Sequence, residues 1–139
     1  AAGAPLAAVA QGLRAFRPVA GRSHTHALQW QGHACTLIDD SYNACPSSVR
    51  AAIDVLASSV GRKVLVLGDM AELGADAESL HKQVGEYALK SGIDALFTLG
   101  SLSALASAAF DGEHFENLDL LKIALLLSRR CTGLFLFLR

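Results

Sequence analysis

The sequence predicts an α/β domain, a doubly wound, Rossmann-like and mostly parallel sheet with helices on both faces. Three observations carry that prediction. Two short runs, Lys63–Leu67 and residues 93–99, are apolar almost throughout, as strands buried on both sides must be. Each is followed by a segment with apolar residues at helical spacing. Gly, Pro or Asp punctuates the junctions between them.

Taken in order, Pro5 opens a helix carrying Leu6, Val9 and Leu13, a first-turn position that suits proline. Arg17-Pro18 ends it, because proline pushes the residue before it out of the helical region. Residues 19–22 then read as a linker, so a boundary falls here. Two extended runs, residues 25–30 and 34–38, flank Gln31-Gly32-His33 and form a hairpin turned at Gly32. Pro46 starts a helix to about Ser58, with Val49, Ile53 and Leu56 along one face. Lys63–Leu67 is a strand, and a helix follows from an Asp76 N-cap to Lys90, stopped by Ser91-Gly92. Residues 93–99 form the next strand, residues 101–110 a helix, residues 113–115 a short strand and residues 118–127 another helix. The apolar run at residues 134–138 is either a final strand or an unpaired edge prone to association.

Composition narrows the function classes. With 139 residues, 52% hydrophobic and 18% charged, the chain is large enough for one real core and too apolar for wholesale disorder. Twelve Lys+Arg balance 13 Asp+Glu with no basic run, which argues against a nucleic-acid grip through phosphates. No stretch approaches the ~18 apolar residues of a membrane span, and no basic leader opens the chain, so an intracellular protein is expected. Cys35, Cys45 and Cys131 are odd in number and form no CxxC pair, so neither a disulfide framework nor a zinc site is expected. His24 and His26 share a face if extended, either as a polar strand edge or as metal ligands.

In a doubly wound sheet the ligand crevice lies at the C-terminal strand ends, which points to three loops. The first, residues 39–46, gathers Asp39, Asp40, Tyr42 and Asn43. A carboxylate there suits ribose hydroxyls and an amide suits a base or phosphate, or else Asp40 and Asn43 shape the turn and cap the helix. The second, residues 68–74, sets Asp69 and Glu72 past a strand, as ligand groups or as solvated acids. The third offers Gly100, Ser101 and Ser103 either to an anion or as a simple helix cap. Arg22 in the linker is a rigid fork able to reach a phosphate. Cys45 stands in a polar loop, and His81 reads as a structural residue within its helix. Neither a GxGxxG fingerprint nor a GxxxxGK[ST] phosphate loop occurs.

The run Leu37-Ile38-Asp39-Asp40-Ser41-Tyr42-Asn43-Ala44-Cys45-Pro46, the segment Arg50-Ala51-Ala52-Ile53-Asp54-Val55-Leu56 and the stretch Gly68-Asp69-Met70-Ala71-Glu72-Leu73-Gly74 closely resemble the C-terminal domain of the Mur ligases. The resemblance covers residues 5–127 and is to the member of the family that adds D-alanyl-D-alanine. It implies an ATP-dependent amide ligase of peptidoglycan synthesis in the bacterial cytoplasm, monomeric in its full form. Its substrates would be UDP-N-acetylmuramoyl-tripeptide and D-alanyl-D-alanine, joined through an acyl phosphate with ATP and Mg²⁺. By that similarity residues 1–17 are the remnant helix and linker of a central ATPase domain, which holds the phosphate loop and most of the ATP and Mg²⁺ contacts. Residues 18–139 are the C-terminal domain that closes over nucleotide and amine. The similarity assigns Arg22 to the phosphates, Asp40, Tyr42 and Asn43 to the ribose and nucleotide edge, and Asp69 and Glu72 to the substrate cleft. It implies no catalytic residue and no metal ligand in this stretch, which is then expected to be inactive alone. The sequence departs from the family at Cys45, where an asparagine is usual, and after Leu127, where the tail reads as a truncated or frame-shifted end. The rival reading is a non-catalytic α/β binding or interaction module.

Overall fold

A computed structural model describes residues 3–16, 19–30, 32–127 and 133–137. The elements are α1 (Leu6–Ala15), β1 (His24–Trp30), β2 (His33–Asp39), α2 (Pro46–Ala57), β3 (Lys63–Leu67), α3 (Ala77–Lys90), β4 (Ala95–Leu99), α4 (Ser103–Phe110), β5 (Glu113–Phe115), α5 (Leu118–Leu127) and β6 (Gly133–Phe137). They build a six-stranded sheet in the order β1-β2-β6-β3-β4-β5. Only β1 runs antiparallel, paired with β2; every other neighbouring pair is parallel. The predicted α/β class is therefore the observed one.

Alternation along β3 and β4 divides the core into two layers. Leu65, Leu67 and Leu96 face one side and pack with Val49, Ile53 and Leu56 of α2, Val84 and Ala88 of α3, and Ala106 and Phe110 of α4. Val64, Val66 and Phe97 face the other side, with Leu121 of α5. Burying each Val, Leu, Ile or Phe among them contributes about 1.5–3 kcal/mol. Three successive crossovers thus lie on one face, and the chain returns on the other through α5.

That return ends in β6, hydrogen-bonded to β2 on one side and β3 on the other, with Leu134 paired to both Leu37 and Val64. The unpaired-edge reading of this run is corrected: it is an interior strand, and a parallel interior strand is where an unbroken apolar run belongs. Residues 17–18, 128–132 and 138–139, which fall in the helix stop and the aberrant tail of the sequence reading, lie outside the described residues.

Local differences from expectation have local causes. His33 pairs with Trp30, so it belongs to β2 rather than to the turn, where Gly32 takes a φ of 80°. β4 begins two residues late because Asp94 is occupied at the neighbouring strand: its carboxylate accepts the Lys63 N–H at 2.7 Å and its own N–H donates to the Lys63 carbonyl. Asp76 is the residue before α3 as predicted, but its side chain makes no cap bond, because a 3₁₀ turn over Gly74–Asp76 leads into the helix.

Gly85 lets α3 and α4 meet. A Cβ there would stand 2.2 Å from the Ala106 carbonyl oxygen, so the helix backbones touch where any side chain would wedge them apart. Gly85→Ala should therefore destabilise the fold although alanine favours helix: overpacking costs about 1–3 kcal/mol or more against ~1 kcal/mol of helix propensity. Urea unfolding should show a lower midpoint with an unchanged slope. A raised midpoint would contradict the close approach.

Candidate functional site

The hairpin register explains how the first cluster assembles. His24 opposes Asp39 at the open end of the β1–β2 ladder. One step further, Ser23 meets Asp40: the Asp40 carboxylate accepts the Ser23 N–H at 2.8 Å and its hydroxyl at 3.3 Å. Two steps beyond that, the Tyr42 N–H donates to the Gly21 carbonyl at 2.9 Å. Gly21 is buried with a φ of 75°, and a Cβ on it would lie 3.0 Å from the Tyr42 nitrogen, so this approach requires glycine.

Between these two ties Arg22 lays its guanidinium 3.9 Å above the Tyr42 ring. An exposed cation held over an aromatic face gains about 0.5–1 kcal/mol and keeps its charge. Asn43, also exposed, follows directly on Tyr42. Arg22, Asp40, Tyr42 and Asn43 thus share one neighbourhood at the C-terminal end of β2. Asp69 and Glu72 stand on a separate loop, after β3.

Sequence reasoning passed over the residues that build this cluster. Asp39 turns inward on its own loop, accepting the Ser41 N–H at 3.1 Å and its hydroxyl at 2.5 Å. The Ser41 hydroxyl holds the Asp39 carboxyl below the usual range, outweighing the opposing effect of partial burial. The signal for Ser23 and Gly21 is present in the hairpin, since extending its register past the strands brings those residues opposite the loop.

The expected helix cap falls elsewhere too. The N-cap of α2 is Cys45, whose N–H donates to the Ser48 hydroxyl at 3.1 Å. Its sulfur lies 3.3 Å from the hydroxyls of both Ser47 and Ser48. These bonds, Ser47 first, favour the thiolate and pull the thiol down to about 7. Cys45 therefore takes the capping seat that the turn-and-cap alternative gives to Asp40 and Asn43.

Asp69 is engaged with α4. One carboxylate oxygen accepts the N–H groups of Leu102 at 3.0 Å and Ser103 at 2.7 Å, and the other faces the Ser101 hydroxyl at 3.4 Å. The anion suggested for the Gly100-to-Ser103 turn is thus the protein's own carboxylate, and it satisfies the orphan N–H groups of that helix. Gly100, at a φ of 122°, leaves room for it: a Cβ there would stand 2.4 Å from the carboxylate. α4 starts at Ser103 because Ser101 and Leu102 form the turn that Asp69 clamps. Glu72 has a left-handed backbone with a φ of 62°.

His24 and His26 stack edge to face at 4.4 Å. Among the described residues, no three His, Cys, Asp or Glu side chains stand together as a metal site. A hollow of about 520 Å³ opens at the start of α3 between Asp76, Glu78, Ser79, Lys82 and Leu102, and none of the six candidate residues lines it. No helix among the described residues is long and apolar enough to cross a membrane.

Comparison with known proteins matches the family "Mur ligase, glutamate ligase domain" over residues 21–128. UDP-N-acetylmuramoyl-tripeptide--D-alanyl-D-alanine ligase of Escherichia coli is 46% identical over 116 residues, covering 83% of this chain and 25% of that protein. The enzyme of the same name from Bacillus subtilis is 45% identical over 85 residues, 59% of this chain and 18% of its own length. A crystal structure of MurF from Acinetobacter baumannii superimposes with a TM-score of 0.79 and 28% identity over 99% of this chain, which is 31% of the solved one. The fold is shared as well with MurF ligase from Thermotoga maritima, solved in complex with ADP, at a TM-score of 0.68 and 22% identity. The chain spans about a quarter of the Escherichia coli relative's length. On the family match and on this fold, the chain belongs to the Mur ligases and carries their C-terminal, glutamate ligase domain.

Proposed function

We propose that this chain is the closing half of a ligase that joins D-alanyl-D-alanine to UDP-N-acetylmuramoyl-tripeptide in the bacterial cytoplasm, acting as a monomer, with ATP as the co-substrate. A free carboxylate resists attack by an amine. Transfer of the γ-phosphoryl group to the tripeptide carboxylate gives an acyl phosphate; the amine of the dipeptide then attacks the carbonyl carbon, inorganic phosphate leaves, and the amine sheds a proton. The observation that carries the reading is Arg22 stacked on Tyr42 beside Asp40, at strand ends where α/β sheets take their ligands. Arg22 meets the phosphates, Tyr42 and Asn43 the nucleotide edge and Asp40 the ribose. Asp69 holds the neighbouring loop to α4, and Glu72 on that loop faces the incoming dipeptide. Mg²⁺ belongs in this reading with the domain that carries the phosphate loop, and no step through the metal is assigned to this chain.

The same reading divides the chain near Val19. α1 buries none of its residues, with Leu6 84% and Leu13 72% exposed, and the family match starts only at residue 21. We assign residues 1–17 to a preceding domain that covers this apolar face and carries the phosphate loop.

Three outcomes test this. ATP titrated into the 139-residue chain by calorimetry should bind weakly, and Arg22→Ala should weaken binding about tenfold, the worth of one charge-assisted contact. Indifference to ATP, or an unchanged affinity in the variant, would refute the nucleotide role. No ligation is expected from these residues alone; turnover would refute the two-domain division. Cys45, followed by peptide mapping, should be alkylated by iodoacetamide with a midpoint near pH 7, below the ~8.5 of an ordinary thiol. Ser47→Ala should raise that midpoint, and ATP should slow the reaction.

A further inference from the structure

One polar ring lies wholly inside the fold. His81 of α3 has no exposed surface, and both of its ring nitrogens are occupied. Nε2 stands 3.0 Å from the backbone nitrogen of Met70, and Nδ1 stands 2.7 Å from the carbonyl oxygen of Ala77. A backbone N–H only donates and a carbonyl only accepts, so the partners fix the protons. Nε2 is bare and accepts from Met70; Nδ1–H donates to Ala77. This tautomer satisfies both partners, whereas a proton on Nε2 would face the Met70 N–H.

The Met70 amide is a loop amide, three residues past the last residue of β3. Its side chain is sunk in the core at 1% exposure, while Asp69 before it clamps α4 and Glu72 after it sits in left-handed backbone. A non-glycine residue holds that conformation only where its surroundings impose it. Two helices hold the loop just before it: α4 through Asp69 and α3 through His81. The helices themselves are locked together at Gly85 and Ala106.

We propose that His81 is the positioning residue of the loop over residues 68–74: as the Nδ1–H tautomer it fixes Met70, and with it Asp69 and Glu72, at the C-terminal end of β3. The consequence for dipeptide recognition rests on the function proposed above; the latch itself does not, and its test involves no nucleotide.

A long-range ¹H–¹⁵N spectrum of the 139-residue chain should show His81 Nε2 unprotonated and Nδ1 protonated. His81→Leu, which fills space without offering an acceptor, should speed hydrogen exchange of the Met70 amide about tenfold or more, with the Leu65 and Phe97 amides holding. His81→Gln, whose side-chain oxygen can accept the same N–H, should recover part of that protection. An Nε2–H tautomer overturns the proposal, as does unchanged Met70 protection in His81→Leu. So does a loss spread evenly over Leu65, Phe97 and Met70, which would make His81 a packing residue. Should neither variant fold, the tautomer of the parent chain decides.

Discussion

Covering β3 on both faces is the requirement from which the remaining architecture follows. Val64, Leu65, Val66 and Leu67 are all at most 1% exposed although they point alternately to opposite sides. A single layer of helices would leave half of them in water. α2, α3 and α4 fill one side and α5 the other, and such a two-sided cover is compatible only with strands joined by crossovers. Parallel strands in turn align their C-terminal ends, and this brings the loops after β2, β3 and β4 to one rim of the sheet.

On that rim two carboxylates adjacent in sequence do different work. Asp39 folds back onto Ser41 and stiffens its own loop, whereas Asp40 reaches across to Ser23 and binds the segment before β1. Asp69 is a third case, a carboxylate that closes the end of a helix borrowed from the next crossover. Acidic residues clustered at strand ends therefore are not interchangeable ligands: Asp39 stiffens its own loop, Asp69 joins two crossovers, and Asp40, tied to Ser23, lies in the neighbourhood of Arg22 and Tyr42.

Much of this was legible in the sequence where the cause is local. β3 was read to the residue because five apolar-rich positions lie between Arg62 and Gly68, and α5 because its helical spacing is unbroken. Boundaries slipped where a distant side chain intervened, as at Ser101 and Leu102, drawn out of α4 by Asp69, which lies 32 residues from Ser101. The pairing of Arg22 with Tyr42 was hidden for a similar reason: twenty residues separate them, and only the hairpin register joins them. The family resemblance names both residues without that geometry. It named an asparagine where Cys45 stands, and the structure shows Cys45 in the N-cap seat, its N–H received by the Ser48 hydroxyl. Helical spacing marks His81 as structural, but a one-dimensional pattern carries no trace of which backbone N–H its ring receives.

The place of β6 bears on how the chain is made. It is the sixth strand in chain order yet the third across the sheet. While a ribosome extends the chain, β2 and β3 exist before the strand that belongs between them. Until β6 arrives, the nascent chain carries two bare inner rims, each ready to pair with whatever extended segment comes within reach. Completion of the sheet is thus a late, long-distance event, and the interval before it is when this polypeptide has most need of a chaperone.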